Sequence, residues 1–165
     1  MRGSTGPADC VLCRGVDGDG ELGRVEVWSD DLWRLTSSVG PGETVRGFSY
    51  LEPRRHIRGI TALQGREAQT FGAVIGRVTA ALKEATGAEL VYVYVFGGHI
   101  DHLHVHLGPH VQGDPLNDSM IRGDVEEEPL PSGAVAIVSK DFPTIPEAEL
   151  RATAEAIRAR LPTDH

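Results

Sequence analysis

The segment His102-Leu103-His104-Val105-His106-Leu107 alternates three histidines with aliphatic residues. A period of two is typical of a β-strand with one polar face, so the sequence predicts a strand over 102–107 with all three imidazoles on one side. Neighbouring imidazoles would stand roughly 6.5 to 7 Å apart, close enough to address one phosphate or one metal ion. A solvated strand edge could show the same pattern. We favour the roles of nucleophile, phosphate contact and metal ligand, because the β-branched and aromatic run 90–96 predicts a buried neighbouring strand.

A second group of residues with chemical potential is Cys10-Val11-Leu12-Cys13, which contains both cysteines of the chain. This spacing suits a metal-binding or redox pair better than a structural disulfide framework. A reduced, metal-free pair in a turn stays open as an alternative.

Composition limits the classes of function. The 165 residues suit one domain with a real core, and 40% hydrophobic with 24% charged residues is ordinary for a globular protein. A net charge of −8 argues against broad binding to nucleic acid or to an anionic membrane. The sequence shows neither a membrane-spanning apolar run nor a signal-peptide pattern at its start, so we expect a cytoplasmic protein.

The remaining patterns predict antiparallel strands with segregated helices, an α+β architecture. A long amphipathic helix is expected from Leu63 to Ala85, with capping-box spacing at 61–64 and a stop at Gly87. Residues 17–20 read as a turn-rich loop. Strands are predicted at Arg24–Trp28, Leu32–Ser37, Phe48–Leu51 and Leu90–Phe96.

The chain changes character beyond Pro109. An acidic run at 126–128, flanked by prolines, reads as a long solvated connection. A strand at 134–139 and a last helix from Thr144 to before Pro162 follow. Four positions of that helix lie along one side and are expected to pack on the sheet or on a second subunit: Leu150, Ala154, Ile157 and Leu161.

The stretch His102–Pro109 resembles the signature of the histidine triad (HIT) family, His-φ-His-φ-His-φ-φ with φ aliphatic. Leu51-Glu52-Pro53-Arg54-Arg55-His56-Ile57 looks like the family's strand ending in Pro-Lys-Arg-His, and the long helix follows it in the expected order. Cys10-x-x-Cys13 resembles the amino-terminal pair of zinc-containing members. The resemblance covers Cys10 to about His110.

The resemblance implies a HIT-like antiparallel sheet of about five strands, a long helix packed on it and a C-terminal helix. Residues 1–112 would form the catalytic domain, and residues 113–165 would form an extension of loop, strand and helix packed on the same domain. HIT relatives are often homodimers that pair through the region equivalent to 63–96, so a homodimer is expected.

The resemblance further implies that His104, the central histidine, is the nucleophile. It would attack the α-phosphorus of a nucleoside phosphoramidate, a dinucleoside polyphosphate or a similar conjugate, forming a nucleotidyl-histidine intermediate. A neutral imidazole is nucleophilic at pH 7, and a covalent path splits one difficult displacement into two easier ones. His106 would contact the phosphate oxygens as charge builds. The activity would be that of a nucleotide hydrolase or nucleotidyl transferase.

In zinc-containing relatives four side chains hold a structural zinc ion, and the matching positions here are Cys10, Cys13, His56 and His102. Zinc prefers four sulfur or nitrogen ligands in a closed tetrahedral site. Such an ion would tie the amino terminus to the segment that carries the nucleophile.

The chain departs from the family's pattern in several places. The Gly-Gln-Ser that many members carry before the triad is replaced by the short segment 97–101, where His99 is a candidate substrate contact. His110 stands where arginine is common and is a candidate pH-sensitive phosphate contact. No acidic residue around 36–38 matches the usual ribose-binding position, so base and ribose preference are not predicted.

Two other classes of function compete with this interpretation. One is a metal-dependent hydrolase whose catalytic metal is held by the cluster His99, Asp101, His102, His104 and His106. The other is a zinc-stabilised module that binds nucleotides or a partner protein without turnover.

Overall fold

The structure is a computed structural model that describes residues 7–41, 43–114, 116, 123–142 and 145–159. The chain divides into two compact units, residues 1–116 and 117–165. The first unit contains five strands: β1 (Arg24–Ser29), β2 (Trp33–Ser38), β3 (Ser49–Pro53), β4 (Leu90–Tyr94) and β5 (Val105–His110). They form one sheet in the order β1-β2-β3-β5-β4, and every neighbouring pair is antiparallel. The predicted α+β architecture with an antiparallel sheet of about five strands is confirmed.

Helix α2 (Gly65–Thr86) covers one face of the sheet. Its buried Val74, Val78 and Leu82 follow the predicted helical spacing. They pack on apolar residues from three strands. Along each strand these residues alternate with polar ones, because successive side chains point to opposite faces of the sheet. The apolar residues are Trp33, Leu35, Leu51, Val105 and Leu107. This cluster is the core of the first unit.

The opposite face of the sheet is polar. The register places Thr36 beside Tyr50, Tyr50 beside His106, and His106 beside Tyr94. We call this side the polar face and define it by the following residues: Arg24, Arg34, Thr36, Tyr50, Glu52, Tyr94, His104 and His106. Antiparallel pairing therefore brings residues that are far apart in sequence into one row across the strands.

The prediction of a strand over 102–107 is wrong in its bounds, because β5 begins only at Val105. The backbone before it bonds elsewhere: the Leu103 amide donates to the Ile57 carbonyl at 2.6 Å, and the His102 carbonyl accepts from the His104 side chain at 2.7 Å. These local bonds replace strand pairing. His104 and His106 nonetheless lie together, with their rings 5.1 Å apart, whereas the His102 ring contacts His56.

The turn-rich loop predicted at 17–20 is instead a helix, α1 (Val16–Leu22). Gly23 ends it in the left-handed region at φ 64°, which glycine adopts at little cost. A Cβ on Gly18 would collide with the Val11 carbonyl, so this glycine permits close packing of α1 on the cysteine segment. Tertiary contacts therefore override the weak helix propensity of a segment rich in glycine and aspartate.

Two further predictions in the first unit need correction. The capping box at 61–64 does not form: α2 begins at Gly65, and Gln64 makes no side-chain capping bond. The run 90–96 does neighbour the histidine segment, but β4 is an edge strand with exposed Leu90, Tyr92 and Val93. Apolar composition alone does not distinguish a central strand from an edge strand.

The second unit contains a hairpin of β6 (Val125–Pro129) and β7 (Val135–Ser139), followed by helix α3 (Glu147–Arg158). The acidic run 126–128 is thus part of a strand rather than a plain connection, although its side chains stay exposed as expected. Cross-strand pairing stabilises it, with Glu126 bonded to Lys140 at 2.8 Å. In α3 the predicted packing side chain Leu150 is 51% exposed, and Leu161 and the Ile157 side chain lie outside the described residues. Packing of this extension on the first unit stays a prediction.

No helix within the described ranges has the length and apolar character required to cross a membrane.

Two apolar positions in the same sheet test the assignment of the core. We expect Leu51→Ala, at a fully buried position, to lower the free energy of unfolding by about 2–5 kcal/mol, because it leaves a cavity beside α2. Val25→Ala, at a position of β1 that is 44% exposed, is the control and should cost less than about 1 kcal/mol. Urea unfolding monitored by circular dichroism measures both, and equal losses would contradict the assignment.

Candidate active site and metal centre

Four side chains from three separate segments converge beside the start of β5. Cys10 and Cys13 come from the amino-terminal segment, His56 from the loop after β3, and His102 from the segment before β5. Their ligand atoms all lie within 4.8 Å of one another. The structure therefore brings together all four residues that the sequence predicted as zinc ligands.

The spacing of these atoms fits a tetrahedral metal centre. The Nδ1 atom of His102 lies 3.5 Å from Cys10 Sγ and 3.4 Å from Cys13 Sγ, and His56 Nδ1 lies 3.4 Å from Cys13 Sγ. A tetrahedron with metal–ligand bonds of about 2.0–2.3 Å has edges of about 3.3–3.8 Å. Two sulfur and two nitrogen donors at these separations match the closed sites that zinc occupies in proteins.

His102 is oriented for such a site by a backbone carbonyl. Its Nε2–H donates to the Pro53 carbonyl oxygen at 2.8 Å. Because a carbonyl only accepts, the proton of the neutral ring is on Nε2, and the Nδ1 lone pair faces the cysteines. A metal-ligating histidine is commonly held by its second nitrogen in this way.

His104 is oriented by the same principle with the two nitrogens exchanged. Its Nδ1–H donates to the His102 carbonyl at 2.7 Å, which leaves the Nε2 lone pair available. The residue is buried, not half-exposed as a simple strand face predicts, and burial lowers the pKa of its imidazole below the ordinary value. His104 is therefore a neutral imidazole at pH 7 with one nitrogen fixed and the other available as a nucleophile.

His106 lies in a cage of aromatic rings. Tyr94 stacks on it at 4.8 Å between ring centroids, and Tyr50 meets it edge-on at 5.3 Å. Phe48 and Phe96 add further contacts at 6.1 and 5.8 Å. Burial lowers the pKa of His106 to about 4, so it too is neutral at pH 7. Its Nδ1 is buried without a hydrogen-bond partner, and a buried polar atom in that state indicates a group that normally acquires one.

The structure does not bring His99 and His110 to this pair. His99 is exposed in the loop between β4 and β5. His110 is six residues beyond His104 on an extended segment, about 20 Å along the strand. Its Nδ1 bonds Asp114 at 2.9 Å, and the Leu116 side chain lies beside Gly108. The roles of His99 and His110 as substrate contacts stay predictions.

Sequence reasoning missed a cluster of buried charges on the polar face next to the histidines. Arg34 bonds three carboxylates, those of Asp19 at 2.5 Å, Glu26 at 2.9 Å and Glu52 at 2.7 Å. Arg24 lies beside Glu52, with Nη1 and Oε2 3.7 Å apart. Glu52 is fully buried, and burial raises its pKa to about 7. The available signal was the presence of charged residues within predicted strands: Arg24 and Glu26 lie in 24–28, and Arg34 lies in 32–37.

The acid side of the stability curve tests the burial of His106. In the unfolded chain its pKa is about 6.5, so below that pH the unfolded state binds the extra proton and stability falls until the folded pKa is reached. We expect the free energy of unfolding to decline as the pH falls from about 6.5 to 4. In His106→Gln the decline should be less steep, because up to about one proton fewer is taken up on unfolding. Urea unfolding across this pH range measures it, with His99→Gln as the control at an exposed histidine. Equal slopes in wild type and His106→Gln would contradict the burial.

Comparison with known proteins bears on the fold. No family model and no curated protein matches the chain. Among solved structures, a HIT family member from Bacillus subtilis aligns with a TM-score of 0.62 at 15% identity, covering 94% of this chain and 99% of that one. A Zn-bound histidine triad family protein from Mycobacterium smegmatis aligns at 0.55 and 23%, covering 68% and 83%. A HIT family hydrolase from Clostridium thermocellum aligns at 0.51 and 19%, covering 67% and 98%. The chain has the fold of the histidine triad proteins, which its His-φ-His-φ-His motif predicted.

Proposed function

We propose that this protein is a nucleotide hydrolase or nucleotidyl transferase in which His104 attacks the α-phosphorus of a nucleotide conjugate. The observation that carries the proposal is the bond from His104 Nδ1–H to the His102 carbonyl, because it fixes a neutral imidazole with Nε2 unprotonated. The fold it shares with a HIT family hydrolase from Clostridium thermocellum supports the same class of reaction.

The first step forms one bond and breaks another. The Nε2 lone pair of His104 bonds to the α-phosphorus while the bond from phosphorus to the leaving oxygen or nitrogen breaks. The leaving group departs with that electron pair and takes up a proton from solvent. Water then attacks the phosphorus, the bond from phosphorus to Nε2 breaks with its electron pair returning to Nε2, and the water loses a proton to give the monophosphate. If another acceptor replaces water, the protein acts as a nucleotidyl transferase.

His106 is proposed to hold the phosphate during this reaction. Its ring is 5.1 Å from that of His104, and its Nδ1 lacks a partner. A neutral ring carries one N–H, which can donate to a phosphate oxygen where charge builds in the transition state. The aromatic cage fixes the ring, so this donor is already oriented before the substrate binds.

We propose zinc as the structural metal of the Cys10, Cys13, His56 and His102 cluster. Four protein donors close the coordination sphere, so the ion supplies folding energy rather than a site for substrate or water. This also argues against a catalytic metal held by the histidine cluster. His104 Nδ1 is committed to a carbonyl, and Asp101 pairs with Arg58 at 2.6 Å.

A binding module without turnover is the remaining alternative, and substitution of His104 tests it. We expect His104→Asn to lower kcat at least about thousandfold, because the nucleophile is lost, while zinc content and the circular dichroism spectrum stay unchanged. Nucleoside phosphoramidates, dinucleoside polyphosphates and nucleotide sugars form the assay panel, and His99→Asn is the matched control. Radiolabelled nucleotide that stays on wild type alone in alkali and is released by acid would identify the intermediate, because the phosphorus–nitrogen bond to His104 hydrolyses in acid. Full turnover by His104→Asn would exclude this mechanism, and absence of turnover in wild type across the panel would favour the binding module.

Removal of one sulfur ligand tests the metal. We expect the wild type to contain about one zinc ion per chain and Cys13→Ser to contain almost none, with a lower melting temperature, because binding is coupled to folding. Inductively coupled plasma mass spectrometry and calorimetry measure the two quantities. His110→Gln removes a histidine outside the cluster and serves as control. A wild-type protein purified without chelators that holds no zinc would rule the proposal out.

A homodimer that pairs through α2 and β4 is proposed as the assembly. The exposed apolar residues of β4 and its continuation support it, since an uncovered apolar edge strand tends to associate. We expect Val93→Glu to shift the sedimentation coefficient from that of a dimer to that of a monomer at micromolar concentration, whereas Val135→Glu in the second unit should not. A monomeric wild type would remove the proposal.

A further inference from the structure

Arg24 lies at one end of a continuous series of contacts that reaches His104. Its side chain is 7% exposed, and its guanidinium carbon lies 3.6 Å from the centre of the Tyr50 ring. The Tyr50 ring contacts His106 at 5.3 Å between centroids, and His106 contacts His104 at 5.1 Å. A buried cation is thus separated from the two histidines by one aromatic ring.

The charge of Arg24 is less fully compensated than that of its neighbour Arg34. Arg34 bonds three carboxylates, whereas Nη1 of Arg24 is buried and has no hydrogen-bond partner. The Glu52 oxygen beside it lies at 3.7 Å, beyond hydrogen-bond reach, and the other Glu52 oxygen is bonded to Arg34 at 2.7 Å. Glu52 thus spends its one close hydrogen bond on Arg34 and leaves Arg24 with a longer ion pair. A buried cation without a full partner normally has a role that offsets its cost.

The histidine pair needs a source of positive charge that the rings do not supply. An imidazole carries no fixed positive charge, whereas Arg24 carries one and lies one aromatic ring away from His106. Within a dry site such a charge acts over a longer range than in water. A phosphate between the two rings would therefore experience the field of Arg24 through low-dielectric surroundings.

We propose that Arg24 is a positioning residue that supplies the positive charge behind the His104–His106 pair and, acting across Tyr50, favours an anionic phosphoryl group there over an uncharged one. The proposal rests on the proposed function in so far as the ligand is a phosphate ester. Under this proposal Arg24 of β1, the strand farthest from β4 in the sheet, contributes to the selection of the substrate.

Other charged and titratable groups lie close to His106 and Arg24, and they contribute to the pH dependence of this part of the site. His106 meets Tyr50 from β3, Tyr94 from β4 and His104 from its own segment. Glu43, in the loop before β3, acts on both tyrosines. The groups that act on Arg24 are Glu52, Tyr50, Asp19 and Arg34. None of them changes between the variants compared below.

The test uses Arg24→Gln, which removes the charge but keeps a polar side chain, and Arg24→Lys, which restores the charge. The first readout is the pKa of His106 from NMR titration of the zinc-loaded protein, assigned with His106→Gln. The second is the ratio of dissociation constants for adenosine 5′-monophosphate and adenosine, measured by calorimetry. Arg66→Gln, at an exposed arginine of α2, is the matched control.

We expect Arg24→Gln to raise the pKa of His106 and to weaken binding of the monophosphate about tenfold, because a favourable charge behind the site is lost. Adenosine binding should stay constant, and Arg24→Lys should restore both readouts. An unchanged pKa of His106 in folded Arg24→Gln would overturn the proposal, as would an equal loss of affinity for both ligands.

If Arg24→Gln does not fold, the test uses Arg24→Lys alone. A folded lysine variant that binds the monophosphate tenfold more weakly would overturn the proposal, and one that binds it as tightly as the wild type would support the proposal. A wild type that binds no monophosphate, together with a raised pKa of His106 in Arg24→Gln, would instead overturn the proposed function and leave the charge assignment supported.

Discussion

The site depends on a single residue, His102, through three of its atoms. Its Nδ1 faces the two cysteines, its Nε2–H donates to the Pro53 carbonyl, and its own carbonyl accepts the Nδ1–H of His104. Each bond fixes a different part of the molecule: the amino-terminal segment, the end of β3 and the tautomer of the proposed nucleophile. Because the three share one peptide unit and one ring, a displacement of His102 would disturb all of them together.

Burial has opposite consequences on the two halves of the polar face. Around His104 and His106 it removes water from imidazoles, which respond by staying neutral, and a neutral ring is the form that can attack phosphorus or donate to a phosphate. Around Arg34 burial removes water from a guanidinium that stays charged, so this group requires carboxylates as partners. Arg34 has its carboxylates, but Arg24 is only partly paired, and the boundary between the two halves passes through Tyr50.

The sequence predicts the parts of this protein whose signals are local. Helix α2, the positions of four of the five sheet strands and the metal cluster of Cys10, Cys13, His56 and His102 all follow from spacing, from residue type or from the family resemblance. Helix α1 does not, because its stability comes from the contact of Asp19 with Arg34 and from the close approach of Gly18 to Val11. The sequence does not predict the later start of β5 or the charge cluster, for the same reason. They depend on which backbone groups and side chains of distant segments become neighbours.

These long-range contacts join the metal centre to the charge cluster. The segment that carries both cysteines continues directly into α1, and Gly18 packs on the backbone of Val11, between the cysteines. Helix α1 in turn delivers Asp19 to Arg34, and removing one partner from a buried ion pair costs about 3–5 kcal/mol because the other charge is left unpaired. An amino-terminal segment released from His56 and His102 would therefore lose more than metal ligands. It would withdraw the Asp19 carboxylate from the polar face and leave Glu26 and Glu52 as the carboxylates beside the two arginines. The charge behind the two histidines would then change without any contact between the metal and the substrate.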